Sequence, residues 1–455
     1  MTATAALQTD KTPAQQPAET ATSKPKIETR YVTVLAQPDG LVEQVYDPAT
    51  DASRFELSPR EGSRSFARHV GIEATNVTLY PVRSDLIRKG RLLLPTQSED
   101  YGSTPALVGE IRTHLRKYVA LSADDENTVT HYILFTWLFD RFQTAPYLRF
   151  IGDLGTGKSR ALKVVGELCY KPFKVSGCAS LSPVFRSLDQ IGGCTLCMDE
   201  VDFFTRNEAH QEMMNMLRVG FQRDAGVLRS ERVGDDFTPR DYAVFGPKVL
   251  AGRKNFPDLA LESRTIRIYM QTGLALDNIP TELPPGYEAE ATRLRNMLLR
   301  WRFDHYFKPL NPVAPMAIEP RLKQVYEPLA AVIDDPKALE VLRQQMAALQ
   351  TELTEGRSGS FEGRVLGALL KHHEKSQAQD AIKIHVKGIA EGMPPEGLTT
   401  ARVSPKKVAS VCRGFGLPVE KDAAGVYVLF APGSAKELLA RHGLAAEPKP
   451  EPSQP

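Results

Sequence analysis

The sequence has no long hydrophobic run, little cysteine and no excess of either charge. Its longest strongly apolar segment is residues 132–139. A membrane-spanning helix needs roughly 20 apolar residues, so we expect no membrane partner. The first ten residues are neither basic nor apolar, so we expect no signal peptide. Five cysteines, an odd number spread over 455 residues, favour reduced thiols and a cytoplasmic protein over a disulfide-stabilised secreted one.

The opposite charges of the chain nearly cancel. Lys and Arg number 57 and Asp and Glu number 55, which leaves a net charge of +2. This balance excludes a globally basic, histone-like protein, so any contact with nucleic acid must come from a local basic surface. With 42% hydrophobic and 25% charged residues, the composition is typical of a folded globular protein. The length predicts about two to four domains.

Composition and hydrophobic patterning divide the chain into segments. Residues 1–27 and the proline-rich residues 444–455 are predicted to be disordered, because too few large apolar side chains are present to offset the entropy of ordering. Short β-prone runs, among them 91–94, predict a small α+β module at 28–104. The remaining segments are a helical lead-in at 105–142, an α/β core at 143–275, a helical lid or linker region at 276–350, a linker at 352–360 and a small domain at 361–443.

A glycine-rich segment lies between a predicted strand and a predicted helix. Residues 152–159 match G-x-x-x-x-G-K-[ST] at every fixed position. Glycines allow backbone N–H groups to curl around a phosphate, and the helix N-terminus adds a partial positive charge. Lys158 is expected to reach the β- and γ-phosphates and Ser159 to ligate Mg²⁺. The alternative is a glycine-rich loop that binds nothing. The predicted ATP-binding residues are Gly152, Gly155, Thr156, Gly157, Lys158, Ser159 and Arg160.

A second segment ends in two acidic residues. Residues 194–202 predict a buried strand that ends at Asp199 and Glu200. A carboxylate at such a strand end, beside a phosphate loop, is expected to hold Mg²⁺ through water, which is the role we predict for Asp199. Glu200 is placed to orient and deprotonate an attacking water as general base. The pair favours ATP hydrolysis over small-molecule phosphorylation, and the alternative is a solvated acidic turn.

The segment 147–270 resembles the P-loop ATPases of the superfamily 3 and AAA+ helicase group, and more narrowly the primase–helicase ATPases of phages, plasmids and integrated elements. The resemblance depends on residues 146–160, 245–253 and 260–264, with support from 294–302 and 318–328. It covers about residues 105–335. It implies an AAA+/superfamily 3-like α/β P-loop NTPase core. It also implies a Mg²⁺-dependent DNA helicase that forms a ring, usually a hexamer, and acts in replication of a mobile element.

The same resemblance implies further catalytic residues. Arg264 would be an arginine finger that neutralises charge on the γ-phosphate in a neighbouring subunit, whereas a surface ion pair is the alternative. Helicases of this group usually end the sensor strand with an asparagine near the γ-phosphate. Here Gly252 and Arg253 occupy that place, and Asn255 could serve only if the strand extends further. Arg253 and Asn255 are therefore both sensor candidates.

Two segments are candidates for DNA contact. Residues 226–239 predict a β-hairpin. In the resembled helicases a hairpin at this place contacts DNA in the central channel, so Arg229 and Arg232 would contact phosphates. Ordinary surface arginines are the alternative.

Residues 361–443 predict three helices, at 361–373, about 382–391 and 404–415, then two strands and a short helix. This order resembles a winged helix, in which the third helix enters the major groove. The cations that would contact phosphates are Lys406, Lys407, Arg413 and, on the wing, Lys421. Winged helices also dock proteins, and that alternative stays open.

The leading hypothesis from the sequence is a ring-forming, Mg²⁺-dependent ATPase that moves along or unwinds DNA. Two other classes fit the same motifs. A regulatory switch would hydrolyse ATP slowly and dock DNA or a partner without translocation, and a DNA-binding protein with a degenerate nucleotide site would show no turnover. Stimulation of ATP hydrolysis by DNA distinguishes the first hypothesis from both.

Overall fold

The computed structural model describes residues 28–72, 76–176, 180–200, 208–233, 236–270, 279–378, 380–394 and 402–444. Of the two tails predicted to be disordered, residues 1–27 and all but the first residue of 444–455 lie outside these ranges. Among the described residues no helix is long and apolar enough to cross a membrane.

The amino-terminal part is mainly β-structure. Its elements are β1 (Glu28–Val32), β2 (Val34–Gln37), β3 (Gly40–Asp47), β4 (Ala52–Pro59), β5 (Ser65–Ala67), β6 (Val70–Ile72), β7 (Val77–Pro81) and α1 (Asp85–Arg88). They form one sheet of order β1-β7-β6 and a second of order β2-β3-β4-β5. A small cluster that includes Phe55 and Leu79 packs between them. Leu41 and Val45 of β3 instead join the central hydrophobic cluster, so this part shares its core with the rest of the chain.

Two helices connect this part to the centre, α2 (Thr104–Tyr118) and α3 (Ala123–Thr136). Each begins after a serine whose hydroxyl accepts a hydrogen bond from a backbone amide, Ser103 for α2 and Ser122 for α3. Most of α3 is buried, because it passes through the central cluster. The two helices expected within 105–142 are therefore present.

The centre is a five-stranded parallel sheet with helices against it. Its elements, in chain order, are β8 (Tyr147–Ile151), α4 (Lys158–Gly166), β9 (Pro172–Ser176), α5 (Leu181–Ile191), β10 (Thr195–Asp199), α6 (Glu208–Val219), β11 (Gly226–Val233), β12 (Asp236–Ala243), β13 (Lys248–Gly252), α7 (Leu259–Glu262) and β14 (Thr265–Tyr269). The strand order is β14-β8-β13-β10-β9, and every pair in it is parallel. The carboxyl ends of these strands therefore lie at one edge. This sheet, with a phosphate-loop sequence after β8, fits the predicted α/β P-loop NTPase core.

Helix α4 packs closely against β10. A Cβ at Gly166 would lie 2.8 Å from Sγ of Cys197, so only glycine permits this approach. Burial raises the pKa of the Cys197 thiol well above its usual range, which keeps it protonated and unreactive. The glycine therefore fixes the helix that follows the phosphate loop against the strand that carries the acidic pair.

The helices α8 (Tyr287–His305), α9 (Pro320–Ala330) and α10 (Pro336–Gly359) follow the sheet. A buried ionic network connects α8 to the amino-terminal part. Arg302 contacts Glu43 at 2.7 Å and Asp140 at 2.6 Å, and Lys171 contacts Glu43 at 2.8 Å. Because Glu43 lies on β3, the amino-terminal sheets are attached to the core through buried charges as well as apolar contacts.

The prediction of a linker at 352–360 is wrong. Helix α10 continues to Gly359, and only Ser360 separates it from the next helix. The Ser360 hydroxyl accepts a hydrogen bond from the amide of Gly363 at 3.0 Å and so caps that helix. Arg357 forms an ion pair with Glu319 that fixes the last turn of α10 to the start of α9. This distant contact offsets the low helix propensity of the glycines and serines in the segment.

The carboxyl-terminal part has its own hydrophobic cluster. Its elements are α11 (Phe361–Ser376), β15 (Ile382–His385), α12 (Val386–Gly392), α13 (Pro405–Gly414), β16 (Val419–Asp422), β17 (Gly425–Phe430) and α14 (Lys436–Arg441). The predicted helix at about 382–391 is only partly correct, because its first four residues form β15. Ile382 pairs with Phe430, and the three strands form an antiparallel sheet of order β15-β17-β16. The winged-helix assignment stays a prediction.

Candidate functional site

The glycine-rich loop joins β8 to α4 in a conformation that requires glycine. A Cβ at Gly152 would lie 2.7 Å from the carbonyl oxygen of Met270 and 2.8 Å from Oγ1 of Thr156. Gly155 and Gly157 have φ of 77° and 86°, in the region that side chains disfavour. Helix α4 starts directly after Gly157, so its unpaired amide groups face the loop. The backbone therefore has the curl that an anion-binding loop needs.

Lys158, the first residue of α4, extends over the loop. Its ammonium group donates a hydrogen bond to the carbonyl of Asp153 and lies 3.4 Å from Oγ1 of Thr156. Thr156 in turn donates to the same carbonyl at 2.9 Å. The cation thus lies on the inner side of the curled backbone, where it can contact an anion bound to the loop amides.

The acidic pair lies at the same edge of the sheet as the loop. Strand β10 ends at Asp199, whose side chain lines a cavity of about 340 Å³ together with Ser159. Glu200 follows with an exposed side chain and a φ of 56°, which is uncommon for a residue other than glycine. Its amide donates to Oδ1 of Asp199 at 2.9 Å. Ser159 and Asp199 are therefore brought together, as the sequence predicted, with Glu200 beside them.

Three further cations line this cavity, and no sequence motif points to any of them. Lys163 comes from α4. Lys174 comes from β9 and Arg91 from the segment after α1. The amide of Lys174 donates to the carbonyl of Arg91 at 2.7 Å, which adds this segment to the outer edge of the sheet. The predicted strand at 91–94 forms only an isolated bridge, between Leu92 and Phe173. Arg91 thus reaches the site through tertiary pairing, which no local pattern records.

Glu167, just beyond α4, also lines the cavity. Its carboxylate contacts Lys163 at 2.7 Å and Lys174 at 3.1 Å and accepts a hydrogen bond from Tyr287 at 2.9 Å. Burial raises the pKa of Glu167, but the two lysines outweigh burial and hold it below its usual value. Since Tyr287 begins α8, this carboxylate connects the end of α4 to the start of α8.

Arg160 was predicted to contact the nucleotide. Its guanidinium instead donates to the carbonyls of Pro280 at 3.0 Å and Thr281 at 2.5 Å. These residues precede α8, so Arg160 fixes the beginning of the helical region against α4. A contact between Arg160 and ATP stays a prediction, and it would require these hydrogen bonds to be exchanged.

Strand β13, which was predicted to be the sensor strand, ends at Gly252, directly beside the glycine-rich loop. The amide of Gly152 lies 3.4 Å from the carbonyl of Gly252. Arg253 follows immediately, and both it and Asn255 have exposed side chains. The strand does not extend to Asn255, which was the condition for its sensor role. Oδ1 of Asn255 accepts a hydrogen bond from the Tyr269 hydroxyl at 3.3 Å. The sensor role of Arg253 stays a prediction, whereas the condition for a sensor role of Asn255 is not met.

Buried Arg149 of β8 fixes the segment after β13. Its guanidinium donates to the carbonyl of Lys254 at 2.5 Å and to Glu262 at 3.3 Å, and it lies 3.4 Å from the centre of the Phe256 ring. The other residues of this strand are apolar, so an arginine in its middle is unexpected. The contacts of its guanidinium with the segment after β13 explain why it is there.

Arg264 lies at the edge of the sheet opposite the loop. It directly precedes β14, and its carbonyl accepts a hydrogen bond from the amide of Tyr147, the first residue of β8. Its guanidinium donates to the carbonyl of Ala260 and lies 5.5 Å from the centre of the Phe221 ring. The structure therefore does not bring Arg264 together with the loop of its own chain.

The predicted hairpin is present as β11 and β12, while its turn, at 234–235, lies outside the described residues. Arg229 pairs with Glu212 of α6 at 3.0 Å and lies over the ring of Phe185, so its cation is already engaged. Arg232 is directly opposite Phe237, which is 72% exposed. Contact with DNA stays a prediction for both arginines.

The cations of the carboxyl-terminal part are at its surface. Lys406, Lys407 and Arg413 of α13 and Lys421 of β16 all have exposed side chains. The Lys407 ammonium lies 4.2 Å from the centre of the Phe361 ring of α11. Lys406 and Arg413 are seven residues apart and therefore lie on one face of the helix. Their contact with DNA also stays a prediction.

Comparison with known proteins was made on sequence and on structure. No protein-family model matches the sequence, and no curated protein matches it. Among solved structures, the chain is similar to "SCCmec type IV Cch - active helicase", with 10% identity over 90% of this chain and 99% of that one and a TM-score of 0.38.

Two further structures show the same level of likeness. The apo structure of the NrS-1 C-terminal region has 12% identity over 86% of this chain and 96% of that one, with a TM-score of 0.38. A full-length MCM homolog from Methanopyrus kandleri has 13% identity over 70% and 75%, with a TM-score of 0.32. At these TM-scores the likeness does not establish the fold or the function of this chain.

Proposed function

We propose that this protein binds ATP and Mg²⁺ at the glycine-rich loop, hydrolyses ATP, and uses the hydrolysis to move along or unwind DNA. The observation that carries the proposal is the cavity of about 340 Å³ that Ser159 and Asp199 line together at one edge of the sheet. We further propose that the protein acts as a ring of identical subunits in replication of a mobile genetic element, as the sequence resemblance implies.

The residues at this edge suit a magnesium-bound triphosphate. The curled loop offers backbone N–H groups, and the Lys158 ammonium would hold the phosphates. Ser159 and Asp199 are oxygen donors of the kind that Mg²⁺ prefers, and they would hold the ion. The ion, when bound, offsets phosphate charge. Arg91 and Lys174 add positive charge to the same cavity.

Glu200 would orient the attacking water and accept its proton. It is adjacent to Asp199, its carboxylate is exposed, and its φ of 56° stores backbone strain of the kind that concentrates at functional sites. Arg264 would complete the site of a neighbouring subunit. Its place at the opposite edge of the sheet supports a role across a subunit interface and leaves it no role at its own loop.

The test is steady-state ATP hydrolysis with and without single-stranded DNA. Lys158→Ala should abolish both ATP binding and turnover, and Glu200→Gln should abolish turnover while ATP binding persists. Exposed Lys337 and Glu340 of α10 supply matched controls. Lys337→Ala and Glu340→Gln should leave both measurements unchanged. Normal turnover by Lys158→Ala would overturn the proposal.

The motor step has its own measurement, strand displacement on a forked duplex. We expect DNA to stimulate ATP hydrolysis and ATP to drive displacement. Hydrolysis that DNA does not stimulate, without displacement, would show an ATP-dependent switch instead. DNA binding without any turnover would show a DNA-binding protein with a degenerate nucleotide site.

The role of Arg264 across an interface can be tested by mixing subunits. Arg264→Ala and Glu200→Gln should each be inactive alone. In a mixed ring, an Arg264→Ala subunit keeps its Glu200 and can receive Arg264 from a Glu200→Gln neighbour. An equal mixture should therefore recover about a quarter of wild-type activity, since subunits in a head-to-tail ring combine at random. No recovery in a mixture of confirmed oligomers would refute the interface role.

A further inference from the structure

A cavity of about 660 Å³ opens on the amino-terminal part, away from the ATP site. Its lining is strongly positive: four arginines contribute to it, and its one carboxylate is Asp51. That carboxylate is already engaged, by Arg88 at 3.4 Å and by the Tyr46 hydroxyl at 3.0 Å. The other three lining arginines are Arg54, Arg68 and Arg83. None of these three has a carboxylate within 4.0 Å among the residues that the structure describes. The lining therefore carries a net positive charge, with Asp47 and Glu56 acting on Arg54 only at longer range.

Three aromatic rings form a row across the adjacent sheet. Tyr31 of β1 is the register partner of Tyr80 of β7, and their ring centres are 6.2 Å apart. His69, just before β6, continues the row at 5.4 Å from Tyr80. Tyr31 is 57% exposed and His69 is exposed, whereas Leu79 points to the buried side of the sheet. The rings thus lie on the open face of the sheet, and Tyr80 and His69 also line the cavity.

A fourth ring lies beside one of these arginines, Arg54. Phe66 of β5 is 48% exposed, and the Arg54 guanidinium lies 4.0 Å from its ring centre. Exposed aromatic side chains next to arginines that have no close carboxylate are typical of surfaces that bind single-stranded nucleic acid. Bases stack on the rings, and arginines contact the phosphates between them.

We propose that this surface, the cavity with the row Tyr31, Tyr80 and His69, binds single-stranded nucleic acid. Unpaired bases stack on the three rings, and Arg54, Arg68 and Arg83 bind the phosphates. A duplex buries its base faces and so cannot use the rings. The row crosses three strands of the sheet and extends beyond the cavity at Tyr31, which suits several consecutive nucleotides better than one mononucleotide.

The test measures binding of a fluorescein-labelled oligothymidylate of about 20 nucleotides, longer than the usual single-strand site. The full chain is used without ATP, and fluorescence anisotropy is recorded at several salt concentrations. The charge-reversed double variant is Arg68→Glu with Arg83→Glu. The matched control, Lys337→Glu with Arg343→Glu on α10, changes the net charge equally.

Loss of two phosphate contacts should reduce the slope of log affinity against log salt by about 1.4 for single strands, and weaken binding about tenfold or more. Tyr31→Ala should weaken binding about fivefold or more, with the slope unchanged, because it removes stacking and no charge. Arg68, Arg83 and Tyr31 are all exposed, so these variants should unfold at the same denaturant concentration as the wild-type protein. The α10 control should retain the wild-type slope.

Hydrogen exchange of the full chain localises the contact. The oligothymidylate should protect amides of β6 and β7, and the Arg68→Glu, Arg83→Glu variant should lose that protection. The proposal would be overturned if the Arg68→Glu, Arg83→Glu variant and the α10 control lost equal affinity for the oligothymidylate. It would also be overturned if the oligothymidylate did not protect β6 and β7. Equal competition by a duplex would exclude stacking, and equal affinity for thymidine monophosphate would indicate a mononucleotide pocket.

This inference does not rest on ATP hydrolysis, and the two can fail separately. Lys158→Ala removes the proposed phosphate contact of the ATP site but leaves the arginine-lined cavity and the row of aromatic rings intact. It should therefore bind the oligothymidylate with wild-type affinity and salt slope. A loss of oligonucleotide binding in Lys158→Ala would contradict a separate site.

Discussion

Replacement of Gly152 by alanine tests the shape of the phosphate loop more directly than any charge substitution. The added Cβ would lie 2.7 Å from the Met270 carbonyl oxygen and 2.8 Å from Oγ1 of Thr156. Neither atom is free to withdraw. The Met270 amide donates to the carbonyl of Ile151 at 2.7 Å, and Thr156 donates to the carbonyl of Asp153 at 2.9 Å. The loop itself must therefore move.

The size of the movement sets the expected effect. Favourable contact between heavy atoms is at about 3.5–4.0 Å, so relief of the overlap needs a shift of about 1 Å. A displacement of that size at a catalytic site costs about 10²-fold in rate. We expect Gly152→Ala to lower kcat/KM for ATP by about 100-fold and to cost about 1–3 kcal/mol of unfolding free energy, the usual range for overpacking.

Gly109 in α2 supplies the matched control. A Cβ there meets nothing within 4 Å, so Gly109→Ala should raise the unfolding free energy by about 0.5–1 kcal/mol. Its ATP turnover should stay at the wild-type rate. Calorimetric titration with a non-hydrolysable ATP analogue and steady-state hydrolysis are the two assays. Wild-type binding and turnover in Gly152→Ala would refute the assignment of this loop as the phosphate site.

Three other predictions concern two buried charged residues, Glu43 and Lys248, and the cavity residue Arg91. Glu43→Ala leaves the buried cations Lys171 and Arg302 short of a counter-charge and should cost about 3–5 kcal/mol in chemical denaturation; a loss below 1 kcal/mol would show that the network is not needed for stability. Burial lowers the pKa of Lys248 to about 7, so the unfolded chain binds one more proton than the native one between pH 7 and 10. Wild-type unfolding free energy should therefore rise by about 2 kcal/mol more than that of Lys248→Met between pH 7 and 9, and parallel pH profiles would contradict this. Arg91→Ala should raise KM for ATP several-fold without a change in unfolding, whereas an unchanged KM would exclude Arg91 from the ATP site.

The sequence was sufficient wherever a feature is local. The strand before the glycine-rich segment and the strand that ends at the acidic pair were both predicted and are present as β8 and β10. Each strand is an apolar run, and the segment itself is marked by glycines at fixed spacing. The meeting of Ser159 with Asp199 also followed, because parallel strands end at one edge.

Features that depend on distant contacts could not be predicted in this way. Residues 382–385 are too few to distinguish a helical from a strand period, and pairing with β17 decides for a strand. The glycines near 356 and 359 suggested a linker, but the ion pair of Arg357 with Glu319 maintains the helix. Arg149 interrupts an apolar strand, and no local pattern explains it. Its role in fixing the segment around Lys254 is visible only when both ends of the contact are known.

The attachment of the amino-terminal part to the core also depends on distant contacts, and it affects the cavity beside the glycine-rich loop. That part appeared from the sequence to be a separate module without chemistry of its own. Its segment at Arg91 pairs with β9 and lines the cavity that Ser159 and Asp199 share, and its Glu43 neutralises Lys171 directly before the same strand. Its removal would therefore expose the outer edge of the sheet, leave a buried cation unpaired and take one cation from the nucleotide site. The cavity beside the glycine-rich loop is thus incomplete without residues that precede β8 by more than fifty positions in the chain.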